Sequence, residues 1–191
     1  RQMPILLAAL SGIEMACLDI LGKSLDVPIW RLLGGSCRDR VRVYGAAHGH
    51  TPEEFAQSAR KSVNQGFTAV KLTPFPDPIR YIDTPAAIET VIKRVAAVRE
   101  AVGKEVDVAV DFHRAVSPAM AKLLLKELEP LTPMFVEEPT HPENVDALLE
   151  ITRSTSIPIA TGERNTTRWG FREICEKKAA AVLQPDIRHC G

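Results

Sequence analysis

The sequence lacks an excess of charge of either sign, because 24 lysine and arginine residues are balanced by 24 aspartate and glutamate residues. Nucleic acids and anionic membranes are usually bound through a surplus of basic side chains, so the composition favours neither partner. Long apolar runs are also scarce, and the longest, at residues 5–10, falls short of the roughly 18 residues that a membrane span needs. We therefore expect a cytoplasmic protein with no membrane segment and no signal peptide.

Cysteine is sparse and follows no pattern. The four cysteines, Cys17, Cys37, Cys175 and Cys190, form no CxxC pair and have no metal-ligand spacing, so neither a disulfide framework nor a zinc site is predicted. The 191 residues are 45% hydrophobic and 25% charged, which is typical of one ordinary globular domain with a packed core.

Short apolar segments alternate with helical patterns along the chain. The β-branched and apolar composition of six segments predicts strands. These segments are residues 41–47, 69–72, 106–112, 134–136, 157–161 and 180–183. Such alternation predicts parallel βαβ units, and near-continuous apolar strands indicate burial on both faces of the sheet.

Four of the predicted helices have proline in the first turn, a position that suits its fixed backbone angle. Their expected starts are at residues 51–54, 84–85, 117–118 and 141–143. Residues 4–21 predict a further helix, and residues 29–33 a short turn that ends at Gly34-Gly35. In the helix after Pro85, the spacing of Val91 and Val95 predicts a buried stripe, with Arg94 and Arg99 facing water.

Two α/β architectures fit this alternation. A doubly wound sheet usually has a glycine-rich phosphate turn after its first strand, but residues 46–50 contain neither GxGxxG nor a P-loop. A (β/α)₈ TIM barrel instead places its chemistry at the carboxyl ends of several strands. Because the polar residues follow that arrangement, we predict a TIM-barrel type of α/β fold with about six of the βα units present.

Acidic residues follow four successive predicted strands: Asp111, Glu137, Glu163 and Asp186. A single carboxylate after a strand is most often a helix cap or a turn residue, but four in succession are harder to explain in that way. The first three follow one another at an interval of 26 residues, which predicts equal height in the barrel. Three converging carboxylates would repel one another unless protonated or bound to a cation, and an all-oxygen set favours Mg²⁺.

Other polar residues are candidates for the same site. His113 is two residues after Asp111, so we expect both side chains on one face of the strand, with His113 acting as a general acid or base. Lys71 lies inside an apolar strand, where it either pairs with the carboxylates, contacts an anionic substrate or reaches water. Glu138 must face away from Glu137 and is expected to play a supporting role.

Histidines elsewhere in the sequence are weaker candidates. His48 and His50 follow the first strand and could line the same end of the barrel, although only their position supports this. His141 and His189 are interpreted as structural.

Together these motifs resemble the enolase superfamily, in the mandelate racemase and muconate lactonizing enzyme group, and within it the galactonate dehydratase branch. The resemblance spans the whole chain. The segments that carry it are Leu32-Leu33-Gly34-Gly35, Val70-Lys71-Leu72, Asp111-Phe112-His113, Glu137-Glu138-Pro139, Gly162-Glu163-Arg164 and Gln184-Pro185-Asp186.

The resemblance implies a Mg²⁺ ion held by Asp111, Glu137 and Glu163, and a sugar-acid substrate whose C2 proton is removed to give an enediolate. It further implies that His113 protonates the departing hydroxyl and that Asp186 orients a base histidine on the seventh strand. Lys71 would bind the substrate. Homo-oligomers are common in the family, so an oligomer is expected.

The sequence also departs from the family. We expect residues 1–40 to form a linker helix and turn, and residues 41–191 a partial barrel, with the capping domain, the last two strands and the base histidine outside the chain. Lys71 stands alone where other branches have Lys-x-Lys, which argues against racemase and lactonising chemistry. Arg114-Ala115 replaces the Gly-Arg expected of a galactonate enzyme.

The leading functional hypothesis is therefore a Mg²⁺-dependent acid-sugar dehydratase that produces a 2-keto-3-deoxy acid. Two alternatives remain open at this stage. One is a racemase or epimerase of a hydroxy acid, and the other is that the 191 residues alone form a catalytically inert piece of a barrel that needs other segments or another copy for stability.

Overall fold

The computed structural model describes residues 3–76, 84–188 and 190, and in these ranges helices alternate with strands. The chain divides into two compact units. The first contains residues 1–42, 163–172 and 185–191, and the second contains residues 43–162 and 173–184. All six strands of the described residues belong to the second unit.

The strands form one parallel sheet in which spatial order follows chain order, β1-β2-β3-β4-β5-β6. They are β1 (Gly45–Ala47), β2 (Ala69–Leu72), β3 (Asp107–Asp111), β4 (Phe135–Glu137), β5 (Ile159–Thr161) and β6 (Val182–Leu183). A doubly wound sheet reverses its order at a switch point, whereas a barrel adds each strand beside the last. The sequential order therefore confirms the barrel-type prediction.

All six predicted strands are present, but most are shorter than the apolar segments suggested. The difference is largest in β1, where residues 41–44 are not in a strand. Val41 and Val43 are 71% and 61% exposed, so these β-branched residues satisfied the strand pattern without the burial that normally accompanies it.

The helices are α1 (Met3–Ser24), α2 (Ile29–Leu32), α3 (Pro52–Asn64), α4 (Pro85–Val102), α5 (Pro118–Leu128), α6 (Val145–Thr152) and α7 (Thr167–Lys177). Three predicted starts are confirmed, because Thr51, Thr84 and Ser117 each accept a hydrogen bond from a backbone N–H in the first turn. The start predicted at residues 141–143 is wrong. There the helix begins at Val145, since the Asn144 side chain caps the N–H of Ala147.

The two faces of the sheet differ in size and composition. The β-branched residues Val70, Val110 and Val136 pack with the helices in the main core. The opposite face carries Ala109, Phe135 and Ala160, against which Val182 packs. Because side chains alternate along a strand, residues two positions after this second set point to the same face at the carboxyl ends of the strands.

Two arginines of α4 contradict the predicted solvent face. Arg94 is only 8% exposed and donates to the backbone oxygens of Pro74 and His50. Arg99 donates to the carbonyls of Leu131, Gly103, Val106 and Thr132 at 2.7–3.1 Å. Helical periodicity treats every arginine as a surface residue, whereas a guanidinium with five donors can be buried where carbonyls accept its hydrogen bonds.

In the first unit, α1 has many apolar side chains and most are exposed: Ile5, Leu6 and Ile13 are 65–73% exposed. Residues Ile5–Ser24 are long and apolar enough, by length and composition alone, to cross a membrane. The prediction that no segment reaches this length is therefore wrong for α1, because its apolar residues are interspersed with a few polar ones. One such helix near the start of a chain is weak evidence for a membrane span.

Candidate metal and substrate site

Two of the predicted metal ligands are side by side at the carboxyl edge of the sheet. Asp111 ends β3, Glu137 ends β4, and the two residues are direct partners in the parallel register. They follow Ala109 and Phe135 by two positions, so the strand alternation places both on the face that carries the smaller apolar cluster. Asp111 is 6% exposed and Glu137 is 4% exposed. Two buried carboxylates this close require positive charge nearby.

Lys71 supplies positive charge to both carboxylates. It is the register partner of Ala109 on β2, and its Nζ lies 2.5 Å from Glu137 Oε2 and 3.3 Å from Asp111 Oδ2. Burial alone would lower the pKa of Lys71, but the charge of Asp111 and the hydrogen bond and charge of Glu137 together raise it. Of the alternatives left open by the sequence, pairing with the carboxylates is the one observed.

The donor chemistry of this pair fits a hard divalent cation. Mg²⁺ is commonly held by one or two carboxylates, with water and substrate oxygens completing its coordination. Asp111 and Glu137 provide such oxygens at a point where a cationic group, the ammonium of Lys71, already contacts both. No group of three or more His, Cys, Asp or Glu side chains among residues 3–76, 84–188 and 190 is placed to hold a metal.

The equal spacing of the three acids misled the prediction of their heights. The interval of 26 residues aligns Asp111 with Glu137, but the residue opposite Glu137 on β5 is Ala160. Glu163 therefore lies three residues beyond the aligned position and after the strand has ended. It belongs to the first unit and is half-buried. Its role as a third ligand stays a prediction.

His113 lies near Asp111 for a different reason from the predicted one. The strand ends at Asp111, and His113 is in a turn with φ 48° rather than on the same strand face. Asp111 Oδ1 accepts the backbone N–H of His113 at 2.8 Å, which fixes this turn. The imidazole Nδ1 consequently lies 3.7 Å from Asp111 Oδ2, and the side chain stays 44% exposed. His113 is therefore close to Asp111, as the sequence predicted, but it lies in a turn and not on the strand.

Glu138 supports the structure around the site, as its position next to Glu137 suggested. It is 1% exposed, its Oε2 is paired with the guanidinium of Arg114, and its Oε1 accepts a hydrogen bond from the Thr161 hydroxyl at 3.1 Å. The backbone N–H of Arg114 also donates to the Glu138 carbonyl at 2.9 Å. These bonds connect the ends of β3, β4 and β5.

Two residues that contact Glu137 or Lys71 were not predicted from the sequence. Gln184, just after β6, donates from Nε2 to Glu137 Oε2 at 3.0 Å. The ring centre of Tyr44 lies 5.8 Å from the Lys71 Nζ, a cation–π distance. Gln184 is part of the Gln-Pro-Asp motif. Its position directly after a strand, like that of the acidic residues, could have identified it as a candidate. Nothing in the local sequence marked Tyr44.

Asp186 belongs to the first unit. Its carboxylate accepts hydrogen bonds from the backbone N–H of Arg188 at 2.9 Å and from the Arg188 guanidinium at 2.6–3.2 Å. The hydrogen bond between the two side chains and the charge of Asp186 raise the pKa of Arg188. The predicted role of Asp186, orienting a base histidine, stays a prediction.

The loops after β1 and β2 enclose a cavity of about 260 Å³ at the same edge of the sheet. His48, His50, Thr73 and Arg94 contribute to its lining. The backbone N–H groups of the two histidines donate to Ser58 and Glu54 of α3, which holds this loop in place. Of the remaining histidines, His141 is exposed beside Glu143, and His189 lies outside the described residues.

A parallel sheet in sequential order, with buried carboxylates at the carboxyl ends of adjacent strands, defines an α/β protein of the TIM-barrel type. Comparison with protein families places it further. Residues 54–191 match the family described as enolase C-terminal domain-like, and residues 1–34 match the mandelate racemase / muconate lactonizing enzyme N-terminal domain. The chain belongs to the enolase superfamily, in the mandelate racemase and muconate lactonizing enzyme group. The second match also accounts for the apolar α1 as part of a family domain.

Curated relatives extend well beyond this chain. A D-galactonate dehydratase from Variovorax paradoxus (strain S110) is 42% identical over 98% of the chain and 49% of the relative. A D-galactonate dehydratase from Klebsiella pneumoniae (strain 342) is 39% identical over the whole chain and 50% of the relative. The chain therefore spans about half the length of the curated relatives it matches.

Solved structures agree with this assignment. A member of the enolase superfamily from Salmonella Typhimurium superposes with a TM-score of 0.91 at 32% identity, covering 98% of this chain and 54% of that one. A mandelate racemase/muconate lactonizing enzyme-like protein from Rubrobacter xylanophilus also gives a TM-score of 0.91, at 40% identity, covering 97% of this chain and 53% of that one. The six described strands and the five α-helices between them thus correspond to about half of these solved structures.

Proposed function

We propose that the natural protein containing this chain is a Mg²⁺-dependent hydro-lyase that dehydrates a sugar acid of the aldonate class to a 2-keto-3-deoxy acid. The observation that carries the proposal is the register pairing of Asp111 with Glu137, two buried carboxylates that share a cationic partner. The relatives named D-galactonate dehydratase support an aldonate as the substrate class.

The reaction balances without any oxidant or reductant. A base takes the proton from C2, the C3–O bond breaks as the hydroxyl accepts a proton, and a C2=C3 double bond forms. The resulting enol becomes the ketone, so that the products are a 2-keto-3-deoxy acid and water. When bound, Mg²⁺ supplies positive charge that stabilises the enediolate oxygens.

The residues of this chain take distinct parts in the proposal. Asp111, Glu137 and Glu163 hold the metal, and the ammonium of Lys71 binds and orients the substrate carboxylate. His113 delivers the proton to the C3 hydroxyl, a role that its exposed imidazole beside Asp111 allows. Asp186 orients a base histidine that these 191 residues do not contain.

Removing the charge of Glu137 tests the metal site. We expect Glu137→Gln to abolish Mg²⁺-dependent turnover and to weaken Mg²⁺ binding in calorimetry, because a neutral amide is a poorer ligand for a hard cation. Glu100→Gln, the same change at an exposed glutamate, serves as the matched control and should leave both properties unchanged. Unchanged turnover in Glu137→Gln would contradict the ligand assignment.

Replacing His113 separates the two proton transfers. We expect His113→Asn to lose dehydration while the substrate still exchanges its C2 proton with deuterated solvent, because a different residue removes that proton. Proton NMR of candidate aldonates in D₂O measures both events in one sample. Exchange without water loss in the wild-type protein would instead indicate a racemase or epimerase.

The location, oligomeric state and domain arrangement of the natural protein are also open to test. We propose a cytoplasmic, homo-oligomeric enzyme in which residues 1–40 lead into a barrel formed from residue 41 onward. Sedimentation of the natural protein and fractionation of cells that produce it test these two properties. A monomer, or recovery with membranes, would count against them.

A further inference from the structure

We propose that Gln184 is a positioning residue that holds the Glu137 carboxylate in the orientation needed for cation binding. Its Nε2 donates to Glu137 Oε2 at 3.0 Å. Glu137 is buried and Gln184 is half-buried, so water competes little for this hydrogen bond. This inference rests on the proposed function in one respect, since it takes Glu137 to be a metal ligand.

The contact reaches across a strand. Gln184 follows β6, Glu137 ends β4, and β5 lies between them in the sheet. Neighbouring parallel strands are about 4.8 Å apart, so the two backbones are separated by roughly twice that distance. On β5 the residue opposite Glu137 is Ala160, and Gly162 follows two positions later. With only a methyl group at the first position and no side chain at the second, the long glutamine side chain can cross β5.

Backbone pairing fixes where Gln184 begins its reach. Val182 is the register partner of Ala160, and Leu183 is the partner of Thr161. The backbone N–H of Gln184 then donates to the Thr161 carbonyl at 3.0 Å, which extends the strand pairing by one hydrogen bond. Because Val182 packs on the smaller apolar cluster, a residue two positions later points to the same face as Glu137.

The chemistry of the amide sets its orientation. Only the amide nitrogen can donate a hydrogen bond, and turning the amide over would place its oxygen against the carboxylate, where the two would repel. The Gln184 Oε1 is buried and has no hydrogen-bond partner among the described residues. Leaving a buried acceptor unpaired is unfavourable, so the bond to Glu137 dictates which way the amide faces.

The hydrogen bond also gives the two carboxylate oxygens of Glu137 different partners. Lys71 and Gln184 both contact Oε2 of Glu137. Among the residues described, these donors converge on that one oxygen and leave Oε1 to face a cation. Residues that orient metal ligands in this way commonly change metal affinity by about 10- to 100-fold when they are replaced.

The test compares two identical substitutions in the natural protein after removal of metal by a chelator. We expect Gln184→Leu to raise the Kd for Mg²⁺ or Mn²⁺, measured by calorimetry, by about 10- to 100-fold. Gln57→Leu, at an exposed glutamine of α3, should leave the Kd unchanged. Gln184→Asn keeps the amide but shortens its reach, so it should also weaken binding. Thermal unfolding verifies that each variant is folded at the assay temperature.

A metal-free measurement keeps the inference independent of the proposed function. Gln184→Leu removes one of the two donors to Glu137 Oε2, and Glu137→Leu leaves the Gln184 amide without its acceptor, whereas the double variant removes both members of this hydrogen bond. We therefore expect the loss in Tm of the double variant to be smaller than the sum of the two single losses. Additive losses, or wild-type metal affinity in folded Gln184→Leu, would overturn the role of Gln184. If the wild-type protein bound no divalent cation but the losses were non-additive, the proposed function would fail while the coupling to Glu137 stood.

Discussion

At the scale of single residues, the site is a balance of charge in which one lysine serves two buried carboxylates. Lys71 contacts Asp111 and Glu137 from the neighbouring strand, and its own side chain is 19% exposed. Removing one member of a buried ion pair leaves uncompensated charge, which is more costly than the pair itself is stabilising. We therefore expect Lys71 to stabilise the metal-free protein.

We expect Lys71→Met to destabilise the metal-free protein by up to about 3 kcal/mol, the lower end of the range for buried pairs because water still reaches the lysine. Urea denaturation at neutral pH measures the loss, and Lys104→Met at an exposed position is the control. Added Mg²⁺ should reduce the difference, since a bound cation replaces the missing ammonium charge. Equal stability of the two variants would rule out this role for Lys71.

The residues of the site were predictable from the sequence only where they lie in an apolar strand or at its end. Asp111, Glu137 and Lys71 lie in or at the end of apolar strands, so a strand pattern was enough to find them. Gln184 acts across β5, and its partner depends on a register that no local pattern reveals. The same limit explains Glu163, whose regular spacing implied a height that the pairing of β5 does not give it.

At the scale of elements, capping signals predicted helix starts better than apolar runs predicted strand limits. Thr51, Thr84 and Ser117 carry their caps in their own sequence. Residues 41–44 resemble a strand in composition, but they have no place in the sheet. A cap is satisfied within one turn, whereas a strand depends on neighbours that are distant in sequence.

One such distant connection joins the 3₁₀ helix Glu129–Leu131 to the loop before β5. Glu129 Oε1 accepts hydrogen bonds from the Ser156 N–H and the Thr155 hydroxyl, both at 2.9 Å, and from the Ser156 hydroxyl at 3.2 Å. These bonds, with the Ser156 N–H contributing most, lower the pKa of Glu129. The ionised carboxylate is therefore the form that holds this loop.

We expect Glu129→Gln to lower Tm near neutral pH, with Glu127→Gln as an exposed neighbouring control. The ionised carboxylate of Glu129 stabilises the protein at pH values above 4.5, the ordinary pKa of this group. That stabilisation is lost as the pH falls through the lowered pKa of the folded state. The difference in Tm between wild type and Glu129→Gln should consequently close below pH 4.5. A difference that persisted unchanged into acid would show that charge is not its source.

At the scale of the whole molecule, six consecutive parallel strands correspond to part of a barrel. Among the described strands, β1 and β6 each pair with only one neighbour, so each presents an open edge. A closed barrel has no such edges, and exposed edges favour pairing with other chains. Sequence rhythm was sufficient to predict the strand order, because each βα unit is local. It did not show that most apolar side chains of α1 are exposed.

We expect the 191-residue polypeptide, when produced by itself, to self-associate and to bind a hydrophobic dye. Exposed apolar side chains on α1 and the two open strand edges both favour association over a monomer. Ile5 and Ile13 lie two helical turns apart and are 73% and 65% exposed, so the double change to lysine should reduce both association and dye binding. Ile187→Lys, at an isoleucine outside α1 that is 74% exposed, is the matched control and should change neither. Light scattering over a range of concentrations measures the association, and a wild-type monomer that unfolds cooperatively at every concentration would contradict the expectation.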